Sequence, residues 1–268
     1  MPRITYSGLT DQGRVRTQNE DRWTADPDQG LFIVSDGMGG QHAGALASRI
    51  VVETLPALLR TKMQGIDDLT TPEVTHCLLA ALALLSEQVR CGSQGQPGLD
   101  GMGATVVLAL LRGTQALIAH MGDSRAYLVR QGCLEQLTTD HSLVQLLLDC
   151  GEIAPDDAAS HPAHGQLTRY IGMPGEPLPE ARLLALCPGD RLLLCSDGLT
   201  GMVCDADLLA LLQKRLTPRI VCQRLITAAN AAGGTDNITA LLVSVSRSSV
   251  RGRAPVTSVC QRPVRPGA

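Results

Sequence analysis

The sequence predicts an α+β fold in which packed β-sheets are covered by helices. β-forming runs follow one another over residues 104–129 with only short turns between them. Helical periodicity occurs in pairs of segments instead, at 43–60 and 71–90 and again at 205–215 and 217–234. A parallel sheet would alternate single strands with single helices, so grouped strands and paired helices favour packed sheets under a helical cover.

Strands are predicted where apolar or β-branched residues run between turn signals. They are 2–9, 22–25, 31–35, 104–111, 116–120, 126–129, a short strand ending at 137, 181–186, 191–195 and 238–245. The runs 181–186 and 191–195 flank a Pro-Gly turn and are predicted to pair with each other.

Helix boundaries carry recognisable end signals. Thr71 and Pro72 suit the N-cap and first position of the second helix, and Asp205 suits the cap of a later one. Pro56 is expected to kink or split the first helix. A short helix capped by Asp140 or Ser142 should end at residue 151. Residues 153–165 are irregular and rich in small residues, and form a candidate flap.

Composition excludes several functional classes. The chain has 268 residues, 44% hydrophobic but only 2% aromatic, which disfavours the base-stacking platforms of nucleic-acid binders. Residues 247–268 hold five arginines and no acid, which leaves 18 basic and 26 acidic residues in the rest. An acidic body matches neither nucleic acid nor an anionic membrane, so neither is expected as a partner.

Location and domain organisation follow from what the sequence contains. There is no apolar leader pattern near the start, and the apolar runs are shorter than the roughly 20 residues of a membrane span. The nine cysteines form no CxxC pair and are predicted to be buried free thiols in a reducing cytoplasm. We expect one catalytic domain over residues 1–246, a disordered tail over 247–268, and a monomer.

Four acids stand at strand ends or glycine turns: Asp36, Asp123, Asp197 and Asp236. The apolar run 31–35 ends in Ser-Asp-Gly, and the run 192–195 leads into the same three residues. Buried carboxylates raise one another's pKa unless a cation compensates them, and Mg²⁺ or Mn²⁺ prefers such oxygen ligands. The pattern predicts a shared cation site, although Asp-Gly is also common in surface turns.

The hexapeptide 16–21 (RTQNED) adds groups suited to phosphate chemistry. The planar guanidinium of Arg16 can bind a phosphoryl group through two hydrogen bonds. Glu20 and Asp21 could orient water molecules around a cation. A solvated charge cluster is the alternative interpretation.

Taken in order, these stretches resemble the bacterial form of the metal-dependent protein Ser/Thr phosphatases, the protein phosphatase 2C family. The matching motifs are 16–21 (RTQNED), 36–40 (DGMGG), 101–105 (GMGAT), 122–128 (GDSRAYL), 137–142 (LTTDHS), 194–199 (LCSDGL) and 234–239 (GTDNIT). The resemblance spans about residues 5–246. It implies a four-layer α-β-β-α sandwich, with two central antiparallel sheets flanked by helix pairs.

The resemblance also implies two Mn²⁺ or Mg²⁺ ions and a possible third. Asp36 would bridge the first two ions, and the Gly37 carbonyl would contact the first. Asp197 and Asp236 would complete the second ion's ligands. Asp123 would hold the third ion, near Ser160 in the candidate flap.

The remaining implied roles concern substrate and water. Arg16 would bind the substrate phosphate, Glu20 and Asp21 would order water around the first ion, and Asn237 would support the adjoining ligand. A hydroxide shared by the two ions would attack phosphoserine or phosphothreonine directly, opposing a bacterial Ser/Thr kinase.

No general acid emerges for the leaving group. Eukaryotic relatives carry a histidine where this chain has Met38, and the histidine of many bacterial relatives is replaced by Gln41, with His42 one position later. His42, His141 and His161 lie near the implied site but are more typical of surface or structural histidines.

Two alternatives remain open at this point. The chain could be a catalytically weak phosphatase-like module that binds phosphoproteins, although all the implied metal acids are present. A serine hydrolase centred on Ser124 would need a strand–Ser–helix elbow that the sequence does not offer.

Overall fold

The computed structural model describes residues 3–39 and 42–246. The predicted tail over 247–268 and Gln41 lie outside these ranges. The strands in chain order are β1 (Arg3–Asp11), β2 (Arg22–Asp26), β3 (Leu31–Ser35), β4 (Gly37–Met38), β5 (Gly103–Ala104), β6 (Val106–Arg112), β7 (Gln115–Met121), β8 (Arg125–Arg130), β9 (Cys133–Gln136), β10 (Glu180–Ala185), β11 (Arg191–Cys195) and β12 (Ile238–Ser246).

The helices in chain order are α1 (Ala43–Lys62), α2 (Pro72–Ser93), α3 (Leu143–Asp149), α4 (Asp197–Thr200), α5 (Asp205–Leu212) and α6 (Pro218–Ala231). Two groups of helices cover the outer faces of these strands, α1 and α2 on one side and α4 to α6 on the other. A 3₁₀ helix, Pro155–Ser160, lies within the candidate flap. Ser142 caps α3 by accepting a hydrogen bond from the Gln145 N–H at 3.2 Å, whereas Asp140 pairs with Arg125. Cys204 is the N-cap of α5, so Asp205 begins that helix instead of capping it.

Two five-stranded antiparallel sheets form the centre of the molecule. The first sheet has the strand order β1-β12-β11-β8-β9, and the second has the order β10-β7-β6-β3-β2. β4 and β5 form a separate two-stranded ribbon. β3, β6 and β11 are almost completely buried, which explains why they read as continuous apolar runs and not as alternating ones.

Three apolar cores separate four layers. One core lies between α1, α2 and the second sheet, a middle core lies between the two sheets, and a third lies between the first sheet and α4 to α6. The side chains are mainly aliphatic, with Phe32 in the middle core and Tyr127 in the third. The predicted α+β class and the α-β-β-α sandwich are confirmed.

α2 is long and apolar enough to cross a membrane by length and composition alone. Leu78, Leu82 and Leu85 on this helix are fully buried in the first core. Packing against the second sheet therefore accounts for its apolar character.

Two predicted strand pairings are wrong. β10 pairs with β7 at an edge of the second sheet, whereas β11 lies between β8 and β12 in the first. β10 is largely exposed and β11 largely buried, so each suits its own position. The predicted meander over 104–129 also breaks, because Gly122, Asp123 and Ser124 carry the chain from β7 to β8 in the other sheet.

Two further predictions need correction. α1 continues unbroken past Pro56, so the proline does not split the helix. The eight cysteines in the described ranges are free, but only Cys195 and Cys222 are buried, and five are exposed. The prediction that the cysteines are buried is therefore wrong for most of those described.

Candidate active site

A cavity of about 240 Å³ opens where chain segments leave the two sheets. We call it the site cavity. Its lining includes Asp36 after β3, Asp123 between β7 and β8, Asp197 after β11 and Asp236 before β12. The four acids predicted to share a cation site therefore surround one space, together with Arg16, Glu20, Gly37 and Asn237.

Thr105 fixes the backbone of Asp36. The Asp36 N–H donates to the Thr105 hydroxyl at 2.9 Å, and the Thr105 N–H donates to the Asp36 carbonyl at 2.8 Å. The same hydroxyl lies 2.7 Å from the Ser124 Oγ. Thr105 thereby links the end of β3 to the turn that carries Asp123.

The glycines after Asp36 and Asp197 permit close backbone approaches. A Cβ on Gly37 would lie 2.0 Å from the Gly44 carbonyl oxygen, and one on Gly198 would lie 2.0 Å from the Asn237 carbonyl oxygen. Both glycines are buried. These Asp-Gly pairs therefore belong to the packed interior and are not surface turns.

Buried carboxylate oxygens in the site lack partners. Asp21 is fully buried, and its Oδ2 accepts a hydrogen bond from the Ser196 hydroxyl at 2.6 Å. Its Oδ1, like the Oδ1 of Asp197, has no hydrogen-bond partner among the described residues. Unpaired buried carboxylate oxygens are costly, so they favour a cation as the missing partner.

Burial and mutual repulsion shift the titration of these acids. Burial raises the pKa of Asp36 well above its usual value, and the charges of Asp21, Asp197 and Asp123 raise it further. Burial likewise raises the pKa of Asp123 and of Asp197, and it raises that of Asp21 to about 7. The cluster is short of positive charge, and its all-oxygen donor set fits Mg²⁺ or Mn²⁺.

The Arg16 guanidinium brings a positive charge to the acid cluster from its exposed side. Its Nη2 donates to the Asp236 Oδ2 at 2.7 Å, and half of the Arg16 side chain is exposed. Asn237 anchors the segment that carries Arg16, because its amide donates to the carbonyls of Gln12 and Gln18 at 2.9 and 2.8 Å. Its Oδ1 accepts the Glu20 N–H at 2.8 Å.

A larger cavity of about 610 Å³ adjoins the site cavity and shares Asp123, Asp197 and Asp236 with it. Its walls include Val144 and Leu148 from α3. This space lies beside the acids. It is large enough for the neighbouring residues of a bound peptide whose side chain reaches the acids.

The other residues singled out in the sequence lie at varied places. His42 is exposed, with its Nδ1 3.3 Å from the Gln18 Oε1, and His161 accepts the Ala163 N–H at 3.1 Å within its own loop. Ser160 ends the 3₁₀ helix, but its side chain lies outside the described part of the chain, so its place near Asp123 stays a prediction.

Sequence reasoning gave no role to Thr105, Ser196 or His120. Thr105 and Ser196 fall inside the matched motifs, but nothing in the spacing identified their partners. All three are buried polar residues next to apolar runs in the sequence. That contrast is the signal by which the sequence could have identified them.

The sequence pattern of the family described as protein phosphatase 2C matches residues 12–229. The chain belongs to the protein phosphatase 2C family. This phosphatase is 39% identical over 237 residues to the Serine/threonine phosphatase stp of Listeria monocytogenes, covering 87% of this chain and 93% of the relative.

Solved structures agree with this assignment. The serine/threonine phosphatase of S. agalactiae superposes with a TM-score of 0.82 at 35% identity, covering 91% of this phosphatase and all of that chain. The catalytic domain of the phosphatase PstP, solved in complex with two manganese ions, gives 0.75 at 35% identity, with coverages of 91% and 98%. The protein is therefore a metal-dependent phosphoprotein phosphatase, an enzyme of the Ser/Thr class.

Proposed function

We propose that this phosphatase removes phosphate from phosphoserine and phosphothreonine of proteins modified by a bacterial Ser/Thr kinase, at the site cavity. The observation that carries the proposal is the convergence of Asp36, Asp123, Asp197 and Asp236 with Arg16 around one space. The unpaired oxygen of Asp197, which lines that space, and that of Asp21, whose charge acts on Asp36, support a cation-dependent site.

We assign the cation ligands residue by residue. Asp36 would be shared by two ions, with the Gly37 carbonyl on the first and Asp197 and Asp236 on the second. Asp123 would hold a third ion. When bound, such ions lower the pKa of a shared water toward neutrality and offset the charge of the phosphoryl oxygens.

The chain's own groups then bind and orient the substrate. Arg16 already donates one hydrogen bond to the Asp236 carboxylate, and a phosphate dianion would offer its planar guanidinium two oxygens and more charge. Glu20 and Asp21 would hold water molecules by accepting their hydrogen bonds. Asn237 keeps the segment of Arg16 and Glu20 in place through three hydrogen bonds.

We also propose the wider setting. Residues 1–246 would be the catalytic domain, with 247–268 as an appended tail. The enzyme would act as a monomer in the cytoplasm, where a cognate kinase supplies its phosphoproteins.

The test is turnover of a phosphothreonine peptide by the full chain, followed as released phosphate. We expect hydrolysis with added Mn²⁺ and none in excess chelator. Full activity in chelator would contradict the proposal. Stoichiometric peptide binding without phosphate release would indicate the binding-module alternative, and labelling of Ser124 by a fluorophosphonate would indicate the hydrolase alternative.

A further inference from the structure

Two histidines, an arginine and a glutamate meet beside the turn that carries Asp123, and the proposed function uses none of them. His120 on β7 stands opposite Glu180 on β10 in the sheet register. The His120 and His141 rings stack with their centroids 4.4 Å apart. Arg169 donates to the Glu180 Oε1 at 2.6 Å.

His141 contacts the backbone of Gly122 twice. The His141 N–H donates to the Gly122 carbonyl at 3.0 Å, and the His141 Nδ1 accepts the Gly122 N–H at 3.3 Å. Gly122 has a φ of +116°, and a Cβ there would lie 2.7 Å from the Thr105 side chain. Gly122 is thus held tightly between Thr105 and His141, and the next residue is Asp123.

The surroundings select one tautomer of His141. Because Nδ1 accepts a backbone N–H, the proton of the neutral ring is on Nε2, which lies 3.3 Å from both the Glu180 Oε1 and the Arg169 Nη1. Burial, with His120 and Arg169 nearby, lowers the pKa of His141 to about 4, so the ring is neutral at physiological pH. His120 supports the segment from the other side, with its Nε2 2.8 Å from the Thr139 carbonyl.

This cluster does not form a metal site as it stands. The two imidazole planes are inclined by only 22°, so stacked rings cannot aim their in-plane lone pairs at one ion. The guanidinium of Arg169 already supplies Glu180 with a positive partner. The backbone N–H and the Nδ1 of His141 both contact Gly122 instead.

We infer that His141, oriented by Glu180, is a positioning residue that sets the Asp123 carboxylate for the third cation. The inference rests on the proposed role of Asp123. It predicts that loss of the ring weakens the third ion and leaves the other two ions, which Asp36 joins, unaffected.

The experiment counts Mn²⁺ bound to the full chain by the EPR signal of the free ion during titration. We expect His141→Ala to weaken the weakest site about 10-fold, as loss of an orienting partner does elsewhere, with the tighter sites unchanged. His141→Asn should restore affinity, because its amide oxygen can accept the Gly122 N–H in place of Nδ1. The thermal midpoint of each variant in chelator is measured in parallel.

Controls separate positioning from general damage. His76→Ala, at an exposed position of α2, should change neither the weak site nor the midpoint. Asp123→Asn should abolish the same weak site, and adding His141→Ala to it should cause no further loss.

Several results would overturn the inference. They are two bound ions in the unmodified chain, an unchanged weak site in His141→Ala, no rescue by His141→Asn, or a weak site that survives Asp123→Asn. Because ion counting needs no turnover, a chain that binds as expected but releases no phosphate would contradict the proposed function and leave the inference standing.

Discussion

At the scale of single residues, Asp36 stands at the centre of the charge repulsion in the site. It is the acid whose pKa is raised by burial and by four other carboxylates. A group that is costly to the folded protein in the absence of a cation is typical of a functional position.

Asp36→Asn should separate activity from stability. Loss of a residue that only supports a metal ligand costs about 10- to 100-fold in activity. Asp36 is proposed to bind two ions directly, so we expect Mn²⁺-dependent hydrolysis to fall by more than about 100-fold. In chelator at pH 7.5, the melting temperature should rise. Buried Asp36 must either stay charged against the other acids or hold a proton that the unfolded chain has lost, and Asn does neither. Asp28→Asn, in an exposed turn, should change neither property. A lower melting temperature for Asp36→Asn would contradict this account.

Arg16→Ala should affect the substrate more than the ions. We expect kcat/KM to fall about 10- to 100-fold, the worth of about 1.5–3 kcal/mol for hydrogen bonds to a charged group. Mn²⁺ affinity should hold or improve, because Asp236 loses a competing partner. Arg16→Lys should recover part of the loss, since a point charge replaces the planar fork. Steady-state kinetics and calorimetry measure the two effects, and a large drop in Mn²⁺ affinity would argue against the assigned role.

The positions of the acids were predictable from the sequence, but those of their supporting residues were not. An acid and a glycine after an apolar run mark a strand end, and this pattern appears twice. The Thr105 hydroxyl bonds a residue 69 positions away, and Ser196 bonds Asp21 across 175 positions. No local pattern specifies such partners, because the fold alone brings them together.

At the scale of elements, the end of β11 and the start of α4 must pass close to the segment before β12. Gly198 makes this possible, with the Asn237 carbonyl oxygen 2.0 Å from where a Cβ would be. The catalytic geometry therefore depends on how closely backbones approach as well as on the side chains.

Gly198→Ala should disturb both folding and activity. We expect a loss of about 1–3 kcal/mol in the free energy of unfolding, typical of overpacking, and weaker Mn²⁺ binding as the Asp236 segment shifts. Gly92→Ala is the matched control, because that glycine is helical and has no atom within 4 Å of the added Cβ. It should be neutral or stabilising by up to about 1 kcal/mol. Urea unfolding measures both, and equal effects at the two positions would contradict the packing argument.

Element type was predictable, whereas strand partnership was not. Strand periodicity is local, so β10 and β11 were correctly predicted as strands. Their pairing depends on which sheet each one completes, and the turn at Pro188 and Gly189 joins the two sheets instead of closing a hairpin. The chain also crosses between the two sheets earlier, from β7 to β8, and Asp123 lies in that connection.

At the scale of the whole molecule, the acid cluster makes stability depend on pH. A carboxyl whose pKa is raised in the folded protein keeps its proton after the unfolded chain has lost it. Its contribution to the free energy of unfolding is therefore fully present below about pH 4. That contribution is lost as the pH rises toward the pKa of the carboxyl in the folded protein. For Asp21 the window runs from about 4 to about 7.

Asp21→Asn should isolate this contribution. Relative to the unmodified chain in chelator, its free energy of unfolding should increase from pH 5 to pH 7, by at most about 1.4 kcal/mol per pH unit. The difference between variants is the quantity to measure, because His120 and His141 have lowered pKa values and shift stability the opposite way. A difference that stays constant over pH 5–7 would contradict the raised pKa of Asp21.

Removal of residues 247–268 tests the proposed domain boundary. A chain ending at residue 246 should keep its melting temperature and its hydrolysis of a phosphothreonine peptide, because β12 ends there. A chain ending at 237 should fail to fold, since β12 holds β1 and β11 together in the first sheet. Loss of activity in the chain ending at residue 246 would place catalytic groups in the tail.

The first and last strands of the structure are neighbours, since β1 pairs with β12 from Arg3 against Ser246 to Asp11 against Ile238. Synthesis on the ribosome delivers β12, and Asp236 just before it, after every other strand. The mutually repelling acids can therefore converge only after the segment before β12 has been synthesised. A nascent chain that stops before β12 has no assembled site, so dephosphorylation requires that this strand be made first.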